Sequence, residues 1–165
     1  MAEPEELDLT WKWQPFDRVS PIELYQMLEL RQQVFVVEQH CVYLDADGRD
    51  SLCIHGFAFA TTTSPDSQVV EGRLLAYARV LPAGLAFPTV SIGRVVVAPV
   101  ARGTGLGRRL MIEAIREAST RFPHQPITIG AQHRLVGFYQ DLGFVPISEP
   151  YDEDGIVHVD MIREG

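Results

Sequence analysis

The sequence predicts an α/β domain in which helices cover a mixed β-sheet. Several short apolar segments have the length and composition of strands, and two longer stretches repeat their apolar residues with the 3.6-residue period of a helix. After one or two N-terminal elements, these segments follow the order ββ-βαβα-ββ, which is typical of helices packed on both faces of one sheet. With 165 residues, of which 46% are hydrophobic, the chain can bury a core. We expect one domain over residues 1–165, with residues 1–8 as a flexible N-terminus.

The N-terminal third is predicted to form a strand, a helix and a polar loop. The strand covers Leu9 to Gln14, and the helix begins at a capping box, Ser20-Pro21-Ile22-Glu23, with proline in the first helical position. The polar loop runs from Cys41 to Asp50. Its segment 45–50 is predicted to be a surface loop, because its glycine and its lack of a glutamate at position 12 do not fit a calcium-binding loop. The buried face of the helix is expected to contain Ile22, Tyr25, Met27, Leu28, Leu30, Val34 and Phe35.

The middle of the chain predicts three strands and a long helix. Residues 56–62 and 73–81 indicate a hairpin across the polar turn 64–67. The unbroken apolar run of residues 90–97 favours a central strand buried on both faces. A helix follows, which ends before Pro123 and whose apolar positions are Leu106, Leu110, Met111, Ala114, Ile115 and Ala118.

The C-terminal segments predict a strand, a short helix and a final pair of strands. Residues 127–131 form the strand, and Leu135, Phe138, Tyr139 and Leu142 mark a short helix that Gly143 ends at its C′ position. Residues 144–147 and 156–161 are expected to form the last two strands.

Composition excludes several classes of protein. A net charge of −8 argues against a nucleic-acid partner, which needs a basic surface. No apolar run reaches 18 residues and the acidic N-terminus lacks the basic part of a signal peptide, so we expect no membrane association. Cys41 and Cys53 are the two cysteines, which suits the reducing cytoplasm, where we expect the protein. Neither has the spacing of a metal ligand, so no metal is expected.

The most specific signal is a glycine-rich loop between a strand and a helix. Gly103, Gly105 and Gly107 follow the apolar strand and directly precede the long helix. Glycines let the main chain approach an anion closely, and the N–H groups and dipole of a helix N-terminus favour phosphate. Positive charge is concentrated here by Arg102, Arg108 and Arg109. The loop therefore predicts a phosphorylated cofactor.

Two common phosphate-binding loops do not fit. A Walker loop needs Gly-Lys-[Ser/Thr], but Lys12 is the only lysine and lies far from the glycines. A dinucleotide fingerprint needs Gly-x-Gly-x-x-Gly near the start of a βαβ unit, whereas these glycines alternate with single residues late in the chain.

The remaining pattern, Arg102-x-x-Gly105-x-Gly107, resembles the acetyl-CoA pyrophosphate loop of the GCN5-related N-acetyltransferases. About 35 residues later, the segment 138–144, Phe-Tyr-Gln-Asp-Leu-Gly-Phe, resembles the Phe-Tyr-x-x-x-Gly-Phe motif of that family. The resemblance extends from Leu9 to Arg163. Segments similar to the small ElaA-type branch are 35–39, 45–48, 76–79, 92–95 and 154–158.

The resemblance implies the acyl-CoA N-acyltransferase fold, a three-layer domain whose central sheet is splayed, with acetyl-CoA as cosubstrate. The main chain of Val95 and Val97 would pair with the pantetheine arm in the opening between two strands. Gln132 stands where the family often has an asparagine, and its amide offers the same donors and acceptor on a longer arm. The cofactor-binding residues implied are Val95, Val97, Arg102, Gly103, Thr104, Gly105, Leu106, Gly107, Arg108 and Gln132.

The same resemblance implies that Tyr139 is catalytic, since a nearby phenol can protonate the departing thiolate. The alternative is a core tyrosine packed beside its neighbours. The base is open, because the family's glutamate on the strand before the loop has no counterpart near Ser91. Glu38 and His158 are the candidates, with His55 or a water relay as further alternatives.

Arg94 and His55 are predicted to contact the acceptor, Arg94 by orienting a carboxylate. We expect transfer of an acetyl group from acetyl-CoA to a primary amine of a small molecule or peptide, by direct attack in a ternary complex. An acyl-CoA-binding module without turnover, or a subunit that acts through protein contacts, remain as alternatives. Dimers are common in the family, so the resemblance leaves a homodimer as one possible assembly.

Overall fold

The computed structural model describes residues 8–63 and 69–165. The first seven residues of the predicted flexible N-terminus and the predicted turn 64–67 lie outside these residues. Within them, no helix combines the length and the apolar character needed to cross a membrane.

The part of the chain that the structure describes contains eight strands and three α-helices. A wider helical segment, Gln32–Glu38, extends the first helix. The elements are β1 (Leu9–Pro15), α1 (Pro21–Arg31), β2 (Ile54–Thr63), β3 (Val69–Leu81), β4 (Val90–Val97), α2 (Leu106–Arg121), β5 (Ile127–Gln132), α3 (Val136–Gln140), β6 (Val145–Pro146), β7 (Tyr151–Glu153) and β8 (Ile156–Arg163).

All eight strands belong to one sheet, which confirms the predicted mixed α/β architecture. The strand order is β1-β2-β3-β4-β5-β8-β6, and β7 also pairs with β8. The β4–β5 pair is parallel and the other pairs are antiparallel. A parallel pair needs a crossover connection, and α2 provides it between β4 and β5.

Helices α1 and α2 cover opposite faces of the sheet. Arg31, at the end of α1, lies over the ring of Tyr77 in β3. Gly107, in the first turn of α2, packs against the side chain of Val97 in β4. Val96 is the cross-strand partner of Tyr77, so Val97 points to the other face. The result is three layers, with the central strands buried on both sides.

The buried face of α1 differs in part from the predicted one. Met27, Leu30 and Val34 are buried as predicted, but Ile22 and Tyr25 are 72% and 73% exposed. The prediction was wrong for these two because Glu23 occupies the core-facing position of the first turn. Its carboxylate accepts hydrogen bonds from the backbone of the cap residue Ser20 and from β1, where Lys12 and Gln14 are the donors.

The C-terminal strands differ from the predicted ones: one is shorter, one is longer, at Ile156–Arg163, and one was not predicted. The expected strand 144–147 is reduced to Val145–Pro146, because the Phe144 side chain turns into the core beside Tyr139 and Pro146 has no N–H to continue the ladder. Strand β7 was not predicted. It pairs with β8 across the turn Asp154-Gly155, whose two positive φ angles, 52° and 81°, fit a tight hairpin.

The segment 45–50 is a loop with Ala46, Gly48 and Arg49 exposed, as predicted, but its three aspartates belong to a largely buried ion cluster that was not predicted. Asp45 is only 5% exposed and pairs at 2.8 Å with Arg31, which is fully buried. Asp50 pairs with Arg31 at 2.9 Å and with Arg79 at 2.7 Å. Arg79 also pairs with Asp47 at 2.5 Å. With Arg94, the cluster contains three arginines and three aspartates. The buried positive charges are therefore balanced by an equal number of negative charges.

His55 lies beside the ion cluster with no exposed surface. Its Nε2 faces the carbonyl of Asp50 at 2.8 Å, so Nε2 carries the proton and donates, while Nδ1 accepts from the hydroxyl of Tyr77 at 2.7 Å. Burial lowers the pKa of His55 below its usual value, and the nearby arginines act in the same direction. The ring is therefore neutral in the folded protein and serves the core.

We expect the free energy of unfolding to decrease as the pH falls below about 6.5, the usual pKa of histidine. The unfolded chain is protonated at His55 in that range, whereas the folded ring, with its lowered pKa, is not. Protons then favour unfolding by about 1.4 kcal/mol per pH unit. Burial opposes ionisation of Asp47 and Asp50, but their arginine partners outweigh it and lower both carboxyl pKa values. A second decline should therefore follow below about pH 4.

Denaturant unfolding of the wild type and of His55→Gln, between about pH 7 and pH 5, measures the first decline. The variant should lose most of that pH dependence, while His133→Gln, a change at an exposed histidine, should retain it. An unchanged pH dependence in His55→Gln would contradict the neutral buried ring.

Candidate active site

Strands β4 and β5 separate soon after they begin, which leaves an opening that we call the strand gap. The two strands pair only at Val90–Ile127 and Ser91–Thr128. Tyr77 and Arg79 of β3 have one residue between them, whereas their partners in β4, Val96 and Gly93, have two. The extra residue in β4 defines a β-bulge at Arg94. Arg94 has a φ of +51°, which is uncommon for a residue other than glycine. A bulge bends its strand, which accounts for the separation.

The backbone of β4 beyond the bulge presents polar groups to the strand gap. The N–H of Ala98 donates to the carbonyl of Leu75 in β3 at 2.8 Å. Backbone N–H groups alternate in direction along an extended strand, so those of Val97 and Val95 point away from β3. These are the two residues whose main chain the sequence predicted as the pantetheine contact.

The loop between β4 and α2, residues 102–107, is here called the cofactor loop. Gly103 and Gly105 have φ values of +77° and +80°, a conformation that favours glycine. The first internal bond of α2 is from the N–H of Arg108 to the carbonyl of Gly105, at 3.1 Å. Within residues 8–63 and 69–165, the five N–H groups from Gly103 to Gly107 have no backbone acceptor. A run of free donors at a helix N-terminus suits a phosphate group.

Side chains of the cofactor loop hold its shape rather than supply donors. Thr104 donates its hydroxyl to the carbonyl of Ala101 at 2.7 Å. Leu106 is 1% exposed and anchors the helix start in the core. A Cβ on Gly107 would lie 3.6 Å from Val97, so the glycine allows α2 to pack closely on β4. Arg108 is exposed, and because its N–H bonds inside the helix, only its side chain remains for a ligand.

Arg102 connects the cofactor loop to the extension of α1. Its guanidinium forms a two-pronged ion pair with the carboxylate of Glu38, with distances of 2.9 and 3.0 Å. Its Nε also donates to the carbonyl of Val97 at 3.4 Å. The two side chains are 44% and 42% exposed, so the pair lies at the surface. Glu38, predicted as a candidate base, is thus placed at the cofactor loop.

Tyr139 lies in α3 and is 7% exposed. Its ring packs edge-to-face with Phe138 and with Phe144, at centroid distances of 5.1 and 6.0 Å. Burial raises the pKa of Tyr139 to about 12. Its hydroxyl is therefore a proton donor at neutral pH, and among the described residues no hydrogen bond engages it.

His158 and Gln132 are cross-strand partners in β8 and β5. His158 Nδ1 lies 2.8 Å from the carbonyl of Ile156, so Nδ1 donates and Nε2 is the free acceptor of the neutral ring. Nε2 lies 3.7 Å from a carboxylate oxygen of Glu153. The Gln132 amide donates to the side chain of Gln39, at the end of the α1 extension, over 3.4 Å.

The two predicted acceptor contacts have other partners. His55 is fully buried with both ring nitrogens bonded, so its prediction as a substrate contact or base was wrong. Arg94 is 22% exposed and pairs with Asp45 at 2.8 Å, while its guanidinium stacks on Tyr43 at 5.5 Å. Sequence reasoning missed Asp45 and Tyr43. The available signal was Arg79 inside an apolar strand, because a buried arginine requires acidic partners.

The structure thus brings the strand gap, the cofactor loop and the end of the α1 extension together. Gln132 joins the group through Gln39, and Glu38 joins it through Arg102. Within the part of the chain that the structure describes, no cluster of histidine, cysteine or acidic side chains is arranged to hold a metal ion.

Comparisons with known proteins agree with this geometry. The family model of the acetyltransferase (GNAT) domain matches residues 68–164. Protein ElaA of Escherichia coli strain K12 is 38% identical over 160 residues, which cover 94% of this chain and 97% of that protein. A UPF0039 protein of Synechocystis is also 38% identical, over 94% of this chain and 96% of its own length.

Solved structures extend the similarity to the fold. The crystal structure of an acyl-CoA N-acyltransferase from Pseudomonas aeruginosa superposes with a TM-score of 0.84 at 37% identity, over 94% of this chain and 99% of that one. The crystal structure of Escherichia coli ElaA superposes with a TM-score of 0.83 at 37% identity, over 95% of this chain and 100% of that one. This chain therefore belongs to the GNAT acetyltransferase family, among the relatives of ElaA and the UPF0039 proteins.

Proposed function

We propose that this protein is an N-acetyltransferase that transfers an acetyl group from acetyl-CoA to a primary amine, by direct attack in a ternary complex. Its family and its acyl-CoA N-acyltransferase neighbours support acyl transfer from coenzyme A. The observation that carries the proposal is the run of free N–H groups from Gly103 to Gly107 beside the strand gap. The loop binds the pyrophosphate, and the pantetheine arm pairs with the main chain of Val95 and Val97.

The thioester carbonyl then lies against the gap-facing edge of β4. One of the two gap-facing N–H groups of β4 stabilises the negative charge that develops on the thioester oxygen when the amine attacks, while the other pairs with the pantetheine arm. A fixed donor needs no reorganisation at that moment. The Tyr139 hydroxyl, with its pKa raised to about 12, stays protonated and donates to the departing thiolate of CoA. Arg102 and Arg108 add positive charge beside the phosphates.

His158 is the better placed of the two candidate bases. Its Nε2 is free to accept a proton from the attacking amine, and the nearby Glu153 carboxylate stabilises the charged ring that results. Both carboxylate oxygens of Glu38 are engaged by Arg102. We therefore assign proton acceptance to His158 and orientation of Arg102 to Glu38. The acceptor in this proposal is a small or peptide-like amine.

Gly105→Ala should weaken binding of CoA by about tenfold or more. Alanine is strained at a φ of +80°, and relief of that strain moves the loop amides; a cost of about 1.4 kcal/mol already corresponds to tenfold in Kd. Gly84→Ala is the matched control, because Gly84 has a φ of +85° and an added Cβ is equally uncrowded at both sites.

Titration calorimetry with CoA on the wild type and both variants measures the effect. The account expects similar losses of stability in the two variants and a loss of CoA binding only in Gly105→Ala. Equal CoA affinity in both variants would place the cofactor elsewhere, and no binding to the wild type would overturn the proposed function.

Tyr139→Phe should lower kcat by about 100-fold while the Kd for CoA stays unchanged, since only the proton donor is removed. Steady-state rates of thiol release with acetyl-CoA and a responsive amine test this. Tyr25→Phe, a change at a tyrosine that is 73% exposed, is the control and should leave kcat unchanged. A kcat of Tyr139→Phe equal to that of the wild type would contradict the role of Tyr139 as proton donor and leave its ring only a packing role in the core.

His158→Gln and Glu38→Gln should separate the two roles assigned above. His158→Gln removes the proton acceptor and should lower kcat by about 100-fold while the Kd for CoA stays unchanged. Glu38→Gln should leave kcat nearly unchanged and raise the KM for acetyl-CoA, because it loosens Arg102. Steady-state rates of thiol release and calorimetry with CoA measure both effects. The reverse pattern would make Glu38 the base.

A further inference from the structure

The β-bulge in β4 depends on a strained residue. Tyr77 is opposite Val96 and Arg79 is opposite Gly93, so the extra residue lies at Arg94. A φ of +51° is unfavourable for arginine, which has a Cβ, and such a conformation persists only when the surroundings hold it. The bulge therefore requires contacts that fix Arg94.

The side chain of Arg94 provides those contacts. Its Nε lies 2.8 Å from a carboxylate oxygen of Asp45, and its Nη2 donates to the Asp45 carbonyl at 3.1 Å. The guanidinium stacks on the ring of Tyr43 at 5.5 Å, and the Tyr43 hydroxyl donates to the same carboxylate at 3.0 Å. A charged group with both an ion pair and a ring face has one preferred position.

Asp45 is itself fixed from the other side. Arg31 donates from Nε to the second carboxylate oxygen of Asp45 and from Nη2 to its carbonyl, both at 2.8 Å. Arg31 has no exposed surface, so this end of the chain of contacts is rigid. The series Arg31–Asp45–Arg94 thus connects helix α1 with the bulge.

The bulge in turn determines what β4 presents to the strand gap. Pairing with β5 stops at Ser91, three residues before Arg94. Val95 and Val97 follow the bulge, and their N–H groups point away from β3 into the gap. If the bulge relaxes, one residue of β4 shifts its register, and alternate N–H groups exchange sides.

We propose that Arg94, held by Asp45 and Tyr43, is a positioning residue for acyl-CoA rather than a contact for the acceptor's carboxylate. The proposal rests on the proposed function and names the residues that set the cofactor-binding edge of the strand gap. Arg94 acts through the backbone of Val95 and Val97. It therefore controls binding of the cofactor in the absence of any acceptor.

The test compares Arg94→Gln with Arg94→Lys and with a matched control, Arg49→Gln. Arg49 lies in the same loop as Asp45, its side chain is 47% exposed and it pairs with Asp47 only at 3.8 Å. Calorimetry with CoA alone should show a Kd raised about tenfold or more in Arg94→Gln, since small displacements of a positioned group cost this much or more. Arg94→Lys should restore part of the affinity, and Arg49→Gln should match the wild type.

Steady-state kinetics provide the second readout. The KM for acetyl-CoA should rise in Arg94→Gln while the KM for the acceptor does not. An unchanged Kd for CoA, with a raised KM for the acceptor, would overturn the proposal and make Arg94 an acceptor contact. A wild type that does not bind CoA would instead overturn the proposed function, and with it this inference.

Tyr43→Leu keeps the test decisive if Arg94→Gln does not fold. The substitution removes the stacked ring and the hydroxyl donor but leaves the Arg94–Asp45 ion pair. Its Kd for CoA should be about threefold higher than that of the wild type, while its circular dichroism spectrum is unchanged. This increase is smaller than the one expected from loss of the ion pair itself. A folded Tyr43→Leu with wild-type CoA affinity would overturn the proposal.

Discussion

The interaction on which most of this structure depends is the ion pairing of Asp45 with Arg31 and Arg94. Burying a charge is costly unless it is paired and hydrogen-bonded. Asp45 satisfies that condition through Arg31 and Arg94, while Arg31 also pairs with Asp50. Asp45 uses both carboxylate oxygens and its carbonyl for the two arginines. Loss of one partner leaves an uncompensated buried charge, so helix α1, the loop after it and strand β4 are fixed relative to one another.

The two sides of the strand gap are held by interactions of very different strength. Breaking a buried ion pair by removing one partner costs about 3–5 kcal/mol, whereas an exposed pair contributes about 0–1 kcal/mol. The bulge of β4 belongs to the first kind, and the Glu38–Arg102 pair, at 42% and 44% exposure, belongs to the second. The strand edge is therefore rigid, while the Glu38–Arg102 pair, which orients the arginine of the cofactor loop, is the weaker of the two.

Local patterns in the sequence were sufficient for most of the elements and for the cofactor loop. The glycines at 103 and 105 are required by positive φ values, and the capping box at Ser20 is satisfied by residues three positions apart, so neither depends on the rest of the fold. The order of elements along the chain also follows from the order of the segments, whereas the strand order in the sheet, with β8 between β5 and β6, was not predicted. The resemblance also implied that the main chain of Val95 and Val97 faces the gap, but the bulge at Arg94, which fixes that register, needed the structure.

The predictions that failed concern residues whose partners are distant in sequence. Asp45 looks like part of an exposed acidic loop until Arg31 and Arg94, 14 and 49 positions away, are placed beside it. His55 looks like a candidate base until Tyr77 and the Asp50 carbonyl take up both its nitrogens. Such residues differ from true site residues only in burial and partners, which composition and periodicity do not encode.

The central claim is that acyl-CoA lies in the strand gap with its pyrophosphate on the cofactor loop. A crystal structure of the protein with CoA tests it most directly. Phosphate oxygens should lie within hydrogen-bond distance of the N–H groups of residues 103–107, and the pantetheine arm should pair with the main chain of Val95 and Val97. CoA bound elsewhere, for example along the exposed side of α1, with the loop amides facing only solvent, would contradict it.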